Sequence, residues 1–156
     1  MALRNIITEG DDILSKRSRE VSEINERTIQ LLDDMVETMR ENNGVGLAAP
    51  QVGVLRRVFV IEVEETLYEL INPKIIEVDG NQVSDEGCLS VPGIIGKVER
   101  PAYVKMKGLD RSGKEVTVEG TELLAVALCH EYDHLEGVLF NSKATDLRDA
   151  DSYEEE

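Results

Sequence analysis

Between Asn25 and Asn42 the apolar residues Ile29, Leu32, Met35, Val36 and Met39 recur at helical spacing, while Asp33, Asp34, Glu37, Arg40 and Glu41 occupy the other side. That pattern predicts an amphipathic surface helix. Asn42-Asn43-Gly44 supplies its stop, because Asn and Gly tolerate the left-handed conformation at a helix C-terminus. Downstream the period shortens. Residues 57–63, 67–72 and 74–78 are short runs rich in Val and Ile, punctuated by Pro73 and Asp79-Gly80, which predicts antiparallel strands. A Gly- and Pro-containing loop through Cys88 and Pro92 is expected next. Two further strands, 97–109 and 115–119, are joined by the turn residues Asp110-Arg111-Ser112-Gly113, with Pro101 marking an edge or a bend. A second helix is predicted over about 121–136, ended by Gly137, with Leu123, Ala127, His130 and His134 along one stripe.

The flanks are less regular. Residues 6–21 mix short apolar groups with Asp11-Asp12 and the polar run 15–19, which reads as an ordered arm. From Asn141 onward there are six acidic residues and little apolar content, so disorder is expected over about 146–156. A helix, then strands, then a helix, without βαβ alternation, predicts an α+β fold in which mostly antiparallel sheets pack around the C-terminal helix. At 156 residues the chain has the length of one domain, 1–156.

Charge then narrows the partners. Thirty-two acidic against seventeen basic residues give a net charge of -15, which repels phosphate backbones and anionic lipid, so neither nucleic acid nor a membrane surface is an expected partner. No apolar run approaches a membrane span, and residues 1–5 lack the apolar core of a secretory signal, which predicts a cytoplasmic protein. In that reducing compartment Cys88 and Cys129 are expected as free thiols or as a metal thiolate.

The chain's two histidines both fall in His130-Glu131-Tyr132-Asp133-His134. Imidazoles four residues apart on a helix project side by side toward one ion, and Glu131 between them is placed to take a proton from bound water. A catalytic metal usually holds three protein ligands and keeps one position open. Cys88, in Glu86-Gly87-Cys88-Leu89-Ser90, is the candidate third ligand. Cys129 lies about a hundred degrees around the helix from His130, which suits packing instead. Glu86 and Asp133 are candidates to steady a ligating imidazole, with Arg100 available to fix a carboxylate.

Three segments taken together, Gly44-Val45-Gly46-Leu47-Ala48-Ala49-Pro50-Gln51, Glu86-Gly87-Cys88-Leu89-Ser90 and His130-Glu131-Tyr132-Asp133-His134, closely resemble the peptide deformylases, in family order and over the chain to about Phe140. There are two departures. Cys129 stands where many members have glutamine, and the long basic C-terminal helix of some members is absent, which puts a tail-mediated ribosome contact in doubt. The resemblance implies removal of the N-formyl group from nascent N-formylmethionyl peptides, releasing formate. Fe2+ would be the native ion, with Zn2+, Ni2+ or Co2+ as substitutes. Cys88, His130 and His134 would hold the metal, whose bound water attacks the formyl carbon, and Glu131 would serve as general base and then acid. The Gln51 side-chain amide and the Leu89 N–H would receive the oxyanion. Gly44, Val45 and Gly46 offer an extended segment on which a peptide can add as a strand, and Val45, Val126 and Ala127 are candidate walls for a methionine pocket.

Two other classes stay open on the residues alone. His-Glu-x-x-His is also the signature of metallopeptidases that cut internal peptide bonds. A non-enzymatic metal module would need Asp133 or Cys129 as a fourth ligand.

Overall fold

The structure is a computed structural model and describes residues 2–150. In chain order its elements are α1 (Glu26–Glu41), β1 (Gly46–Ala48), β2 (Val58–Val63), β3 (Thr66–Asp79), β4 (Gln82–Cys88), β5 (Val91–Arg100), β6 (Tyr103–Leu109), β7 (Glu115–Thr121), α2 (Glu122–Leu135) and β8 (Thr145–Asp149). The strands form two antiparallel sheets, one of five in the order β1-β2-β3-β6-β7 and one of three in the order β4-β5-β8. This is the α+β architecture expected, with α2 at its centre.

β2 shows why the helices lie where they do. Its side chains alternate between the two faces of the large sheet. Phe59 and Ile61 pack with Ala125, Leu128, Cys129 and Leu135 of α2, whereas Val58 and Val60 pack with Leu32, Met35 and Met39 of α1. Both faces are covered along residues 58–61, so that part of the strand reads as an unbroken apolar run. α1 has the bounds its periodicity predicts: the Asn25 side chain accepts from the N–H groups of Arg27 and Thr28. At the far end Asn43 takes the left-handed conformation (φ 56°), and the Gly44 N–H bonds the Met39 carbonyl at 2.9 Å.

Four expectations are corrected. Residues 67–72 and 74–78 are one strand, β3, because Pro73 falls at a register shift between Ile71 and Lys74 instead of ending the ladder. The run 97–109 is two strands in different sheets: Pro101 sits between β5 and β6. The loop expected through Cys88 and Pro92 is a hairpin, β4 against β5, with a tight turn at Leu89-Ser90. The tail, expected to be disordered from about 146, forms β8, which pairs with β5 and is pinned by Arg148 Nη2 on Asp85 Oδ1 at 2.8 Å; residues 151–156 of that expectation lie outside the described residues.

The arm is ordered because its backbone is used. Ile7 N–H bonds Gln51 O, Glu9 N–H bonds Ser90 O, and Ser18 N–H bonds Leu135 O. It thereby ties down the two loops beside α2.

Candidate active site

α2 begins at the edge of the large sheet and runs into the gap between the two sheets, so its buried face carries His130, Glu131 and His134 inward. Cys88 arrives from the last position of β4. The ligand atoms of Cys88, His130 and His134 all lie within 4.8 Å of one another, and Cys88 Sγ is 3.3 Å from His134 Nε2. A tetrahedral ion bound to one sulfur and one nitrogen would separate them by about 3.6 Å. The donor set therefore fits a divalent metal in both spacing and kind.

Electrostatics point the same way. Glu86 Oε1 lies 2.8 Å from His130 Nδ1, which leaves Nε2 to face Cys88 and His134. Burial alone would raise the Glu86 pKa, yet its bonds to Arg100 and His130 hold it below the usual range. Burial alone would lower the His130 pKa, but Cys88 and Glu86, the negative groups gathered around it, push it up to about 10. His134 is kept neutral, by burial first and then by the charges of His130 and Arg100. A neutral imidazole is the ligating form.

Glu131 is buried beside this group, and its Oε1 has no hydrogen-bond partner among the described residues. Burial pushes its pKa up to about 7, against the opposing charge of His130. Gly46 of β1 makes the room: a Cβ there would stand 2.5 Å from Glu131 Oε2. Gly44 is similarly placed, its absent Cβ falling 2.9 Å from Leu89 Cδ1.

Gln51 sits in a single 3-10 turn, Ala49–Val52, directly after β1. Its Oε1 accepts from the Ala48 N–H at 3.0 Å, and its Nε2 donates to Ser90 Oγ at 3.0 Å and lies 3.5 Å from Cys88 Sγ. The amide is thus aimed at the ligand group. Leu89 follows Cys88 in the hairpin turn. Gly44, Val45, Gly46, Val126 and Ala127 all line the same cleft, of about 710 Å³, as Cys88, His130 and Glu131. Gly46 of β1, residues 85–88 of β4 and residues 91–95 of β5 line it together with α2, and β1 and β4 each end a sheet.

Asp133 and Cys129 do not join the ligand group. Asp133 Oδ2 is held by Arg100 Nη1 at 2.7 Å and by Lys143 Nζ at 3.0 Å. Cys129 packs in the core under the large sheet, and burial raises its thiol to about 11. Sequence reasoning did not single out Ser90 as the support of Gln51, or Gly46 as the space for Glu131. Ser90 lies within a quoted segment, but a contact 39 residues away in the chain leaves no local signal.

The sequence profile of the polypeptide deformylase family matches residues 3–150. A peptide deformylase of Acetivibrio thermocellus is 58% identical over 154 residues, covering 99% of this chain and 91% of that protein. One of Alkaliphilus metalliredigens is 60% identical over 143 residues, covering 92% and 97%. Among solved structures, the peptide deformylase of Ehrlichia chaffeensis in complex with actinonin superposes with a TM-score of 0.91 at 38% identity, covering 94% of this chain and 91% of that one. That of Thermotoga maritima gives 0.89 at 39% identity, covering 92% and 98%.

Proposed function

The chain belongs to the peptide deformylase family, metal-dependent hydrolases that remove the N-formyl group of nascent polypeptides and release formate, and from that premise we propose how its residues divide the work. Cys88, His130 and His134 hold one divalent ion. The observation that carries this is the convergence of their three ligand atoms within 4.8 Å, beside a buried carboxyl group and at the floor of a cleft. When bound, such an ion supplies Lewis acidity and lowers the pKa of water. We assign Fe2+ as the native ion, with Zn2+, Ni2+ or Co2+ able to replace it. Affinity does not favour iron over zinc, so the ferrous reading requires activity that decays in air and persists under anaerobic handling.

Glu131 moves the proton. A carboxyl group whose burial lifts it to about 7 gives and takes protons readily near neutrality. It first accepts a proton from the attacking water and then passes it to the amine that leaves. The Gln51 Nε2–H and the Leu89 N–H donate to the oxygen that gains charge at the formyl carbon. Gln51 is held for this by Ala48 and Ser90, so its amide needs no reorganisation.

The substrate's first side chain lies against Val45, Val126 and Ala127, and its backbone adds to the free edge of β1 near Gly44 and Gly46. We place the reaction in the cytoplasm, on N-formylmethionyl chains, with any ribosome contact transient. Actinonin, bound in the Ehrlichia chaffeensis relative, is expected to enter the same cleft here.

Glu131→Gln tests the division of labour. The variant should keep its full complement of metal and lose at least a hundredfold in formate release from a formyl-Met peptide, the order expected of a general base. A metal-replete variant that turns over at the wild-type rate removes Glu131 from the chemistry.

A further inference from the structure

The chain that leaves α2 doubles back along it. Gly137 makes the reversal at φ 79°, and a Cβ there would lie 2.6 Å from the Ser15 carbonyl oxygen, so a side chain is excluded. The returning segment forms the 3-10 turn Phe140–Ser142, closed by the Lys143 N–H on the Phe140 carbonyl at 2.9 Å. Two side chains of this segment face α2. The buried ring of Phe140 stacks on the His130 imidazole, centroids 6.0 Å apart and planes 27° from parallel. Lys143 reaches Asp133, one turn further along the helix.

From Lys143 an unbroken chain of charge runs to the ligand group. Lys143 Nζ is 3.0 Å from Asp133 Oδ2, and the same oxygen accepts from Arg100 Nη1 at 2.7 Å. The other two nitrogens of that guanidinium fork onto Glu86 at 2.8 and 2.9 Å, and Glu86 Oε1 meets His130 Nδ1 at 2.8 Å. Arg100 and Glu86 are almost wholly buried, with side chains 3% and 4% exposed, while that of Lys143 is 46% exposed. Glu86 and Asp133 share one buried guanidinium, and Lys143 is the second permanent cation, on Asp133 alone. Without it one guanidinium must serve both Glu86 and Asp133, and a buried group left short of a partner charge moves toward whatever cation remains.

We propose that Lys143 is a positioning residue for His130: by holding Asp133 it leaves the Arg100 fork on Glu86, and Glu86 in turn fixes the imidazole with Nε2 turned to Cys88 and His134. The proposal rests on the metal-site reading above, although Lys143 touches no ligand. Two physical effects of removing it have opposite signs. Deleting a distant positive charge relieves Coulomb repulsion and by that effect alone makes a bound cation leave more slowly. Loosening the imidazole makes it leave faster. The direction of the change therefore separates positioning from simple electrostatics.

The experiment loads wild type and Lys143→Met with Zn2+ and follows release of the ion into excess chelator, with thermal unfolding of each metal-free protein measured alongside. Release should quicken by roughly three- to tenfold, less than the tenfold or more typical of groups that contact a ligand directly. Lys143→Arg should restore the wild-type rate. In an Asp133→Asn background Lys143→Met should add nothing, because the coupling runs through that carboxylate. High salt should quicken release from wild type and leave Lys143→Met unaffected, since the pair is half exposed. Unchanged or slower release from Lys143→Met overturns the proposal, as does an effect that survives in the Asp133→Asn background. Should Lys143→Met fold poorly, Lys143→Gln gives the same comparison. A wild-type protein that retains no Zn2+ overturns the metal-site reading first, before any variant is compared.

Discussion

Gly46→Ala isolates the placement of one carboxyl group from the stability of the protein. The new Cβ would stand 2.5 Å from Glu131 Oε2, 2.9 Å from its Cδ and 3.0 Å from its Cγ. Ordinary contact for such atoms begins at about 3.5 Å, so something must move by about 1 Å. The backbone of β1 is not free to yield: it pairs with β2 from Gly46 to Ala48, and the Val45 carbonyl accepts from the Glu62 N–H at 2.8 Å. The end of the Glu131 side chain is the flexible party, and it swings away from the ligand group. A misplacement of about 1 Å can cost on the order of a hundredfold in rate, about 2.7 kcal/mol of activation free energy. Stability should change little, within about 1 kcal/mol, because Gly46 has no left-handed backbone to strain and alanine restricts the unfolded chain. The assay is kcat and KM for formate release from a formyl-Met peptide, with metal content and Tm measured on the same preparation. The expected result is a fall in kcat with metal and Tm kept. A Gly46→Ala protein within threefold of wild type in kcat would refute the steric reasoning, as would a loss traced to missing metal.

Cys88→Ser should lose most of the bound metal, a hydroxyl being a far poorer ligand than a thiolate, while Cys129→Ser keeps the metal and loses about 1–3 kcal/mol of stability for a hydroxyl buried in the core; metal stoichiometry beside Tm decides between them, and the opposite pattern would mean that the cysteines have been assigned the wrong way round. Asp34 offers a test away from the site. Burial alone would raise its pKa, but the Ala2 N–H, Gln30 and Arg4 hold it below 3.8, so the stability it contributes is fully present above that value and is lost as pH falls through the folded pKa. Asp34→Asn should therefore be less stable than wild type at neutral pH, with the gap closing below about pH 4 in acid titrations followed by circular dichroism; a gap constant with pH would rule the carboxylate out as the cause.

The sequence was most legible where local pattern and tertiary role agree. α1 carries its period, its Asn25 cap and its Asn43 stop in one stretch, and the structure places it there. β3 was harder to read, because Asn72 takes a left-handed turn (φ 54°) in the middle of it and is held there by the backbone of Val21, which bonds its side chain at 2.8 and 2.9 Å. No residue near Asn72 announces a partner 51 positions away. β4 and β8 are mostly polar strands of the small sheet, with few buried side chains, so alternation could not reveal them. The three candidate ligands, Cys88, His130 and His134, stood out by type and spacing. The space for Glu131 did not, since it depends on how closely β1 approaches α2, and a glycine in a strand is silent about what it makes room for.

The cleft lies between two strands that each end a sheet, β1 and β4, and this bears on the range of proteins such an enzyme can process. Backbone N–H and C=O groups are the same in every chain, whereas side chains differ. A site that reads one side chain in a pocket and everything after it by strand pairing has a strict requirement at the first position and few beyond. In the proposed mode of binding, edges that would invite aggregation in another protein would serve to hold unrelated N-termini. Proline in the next position, which brings no N–H to the pairing, is the residue to which such generality extends least.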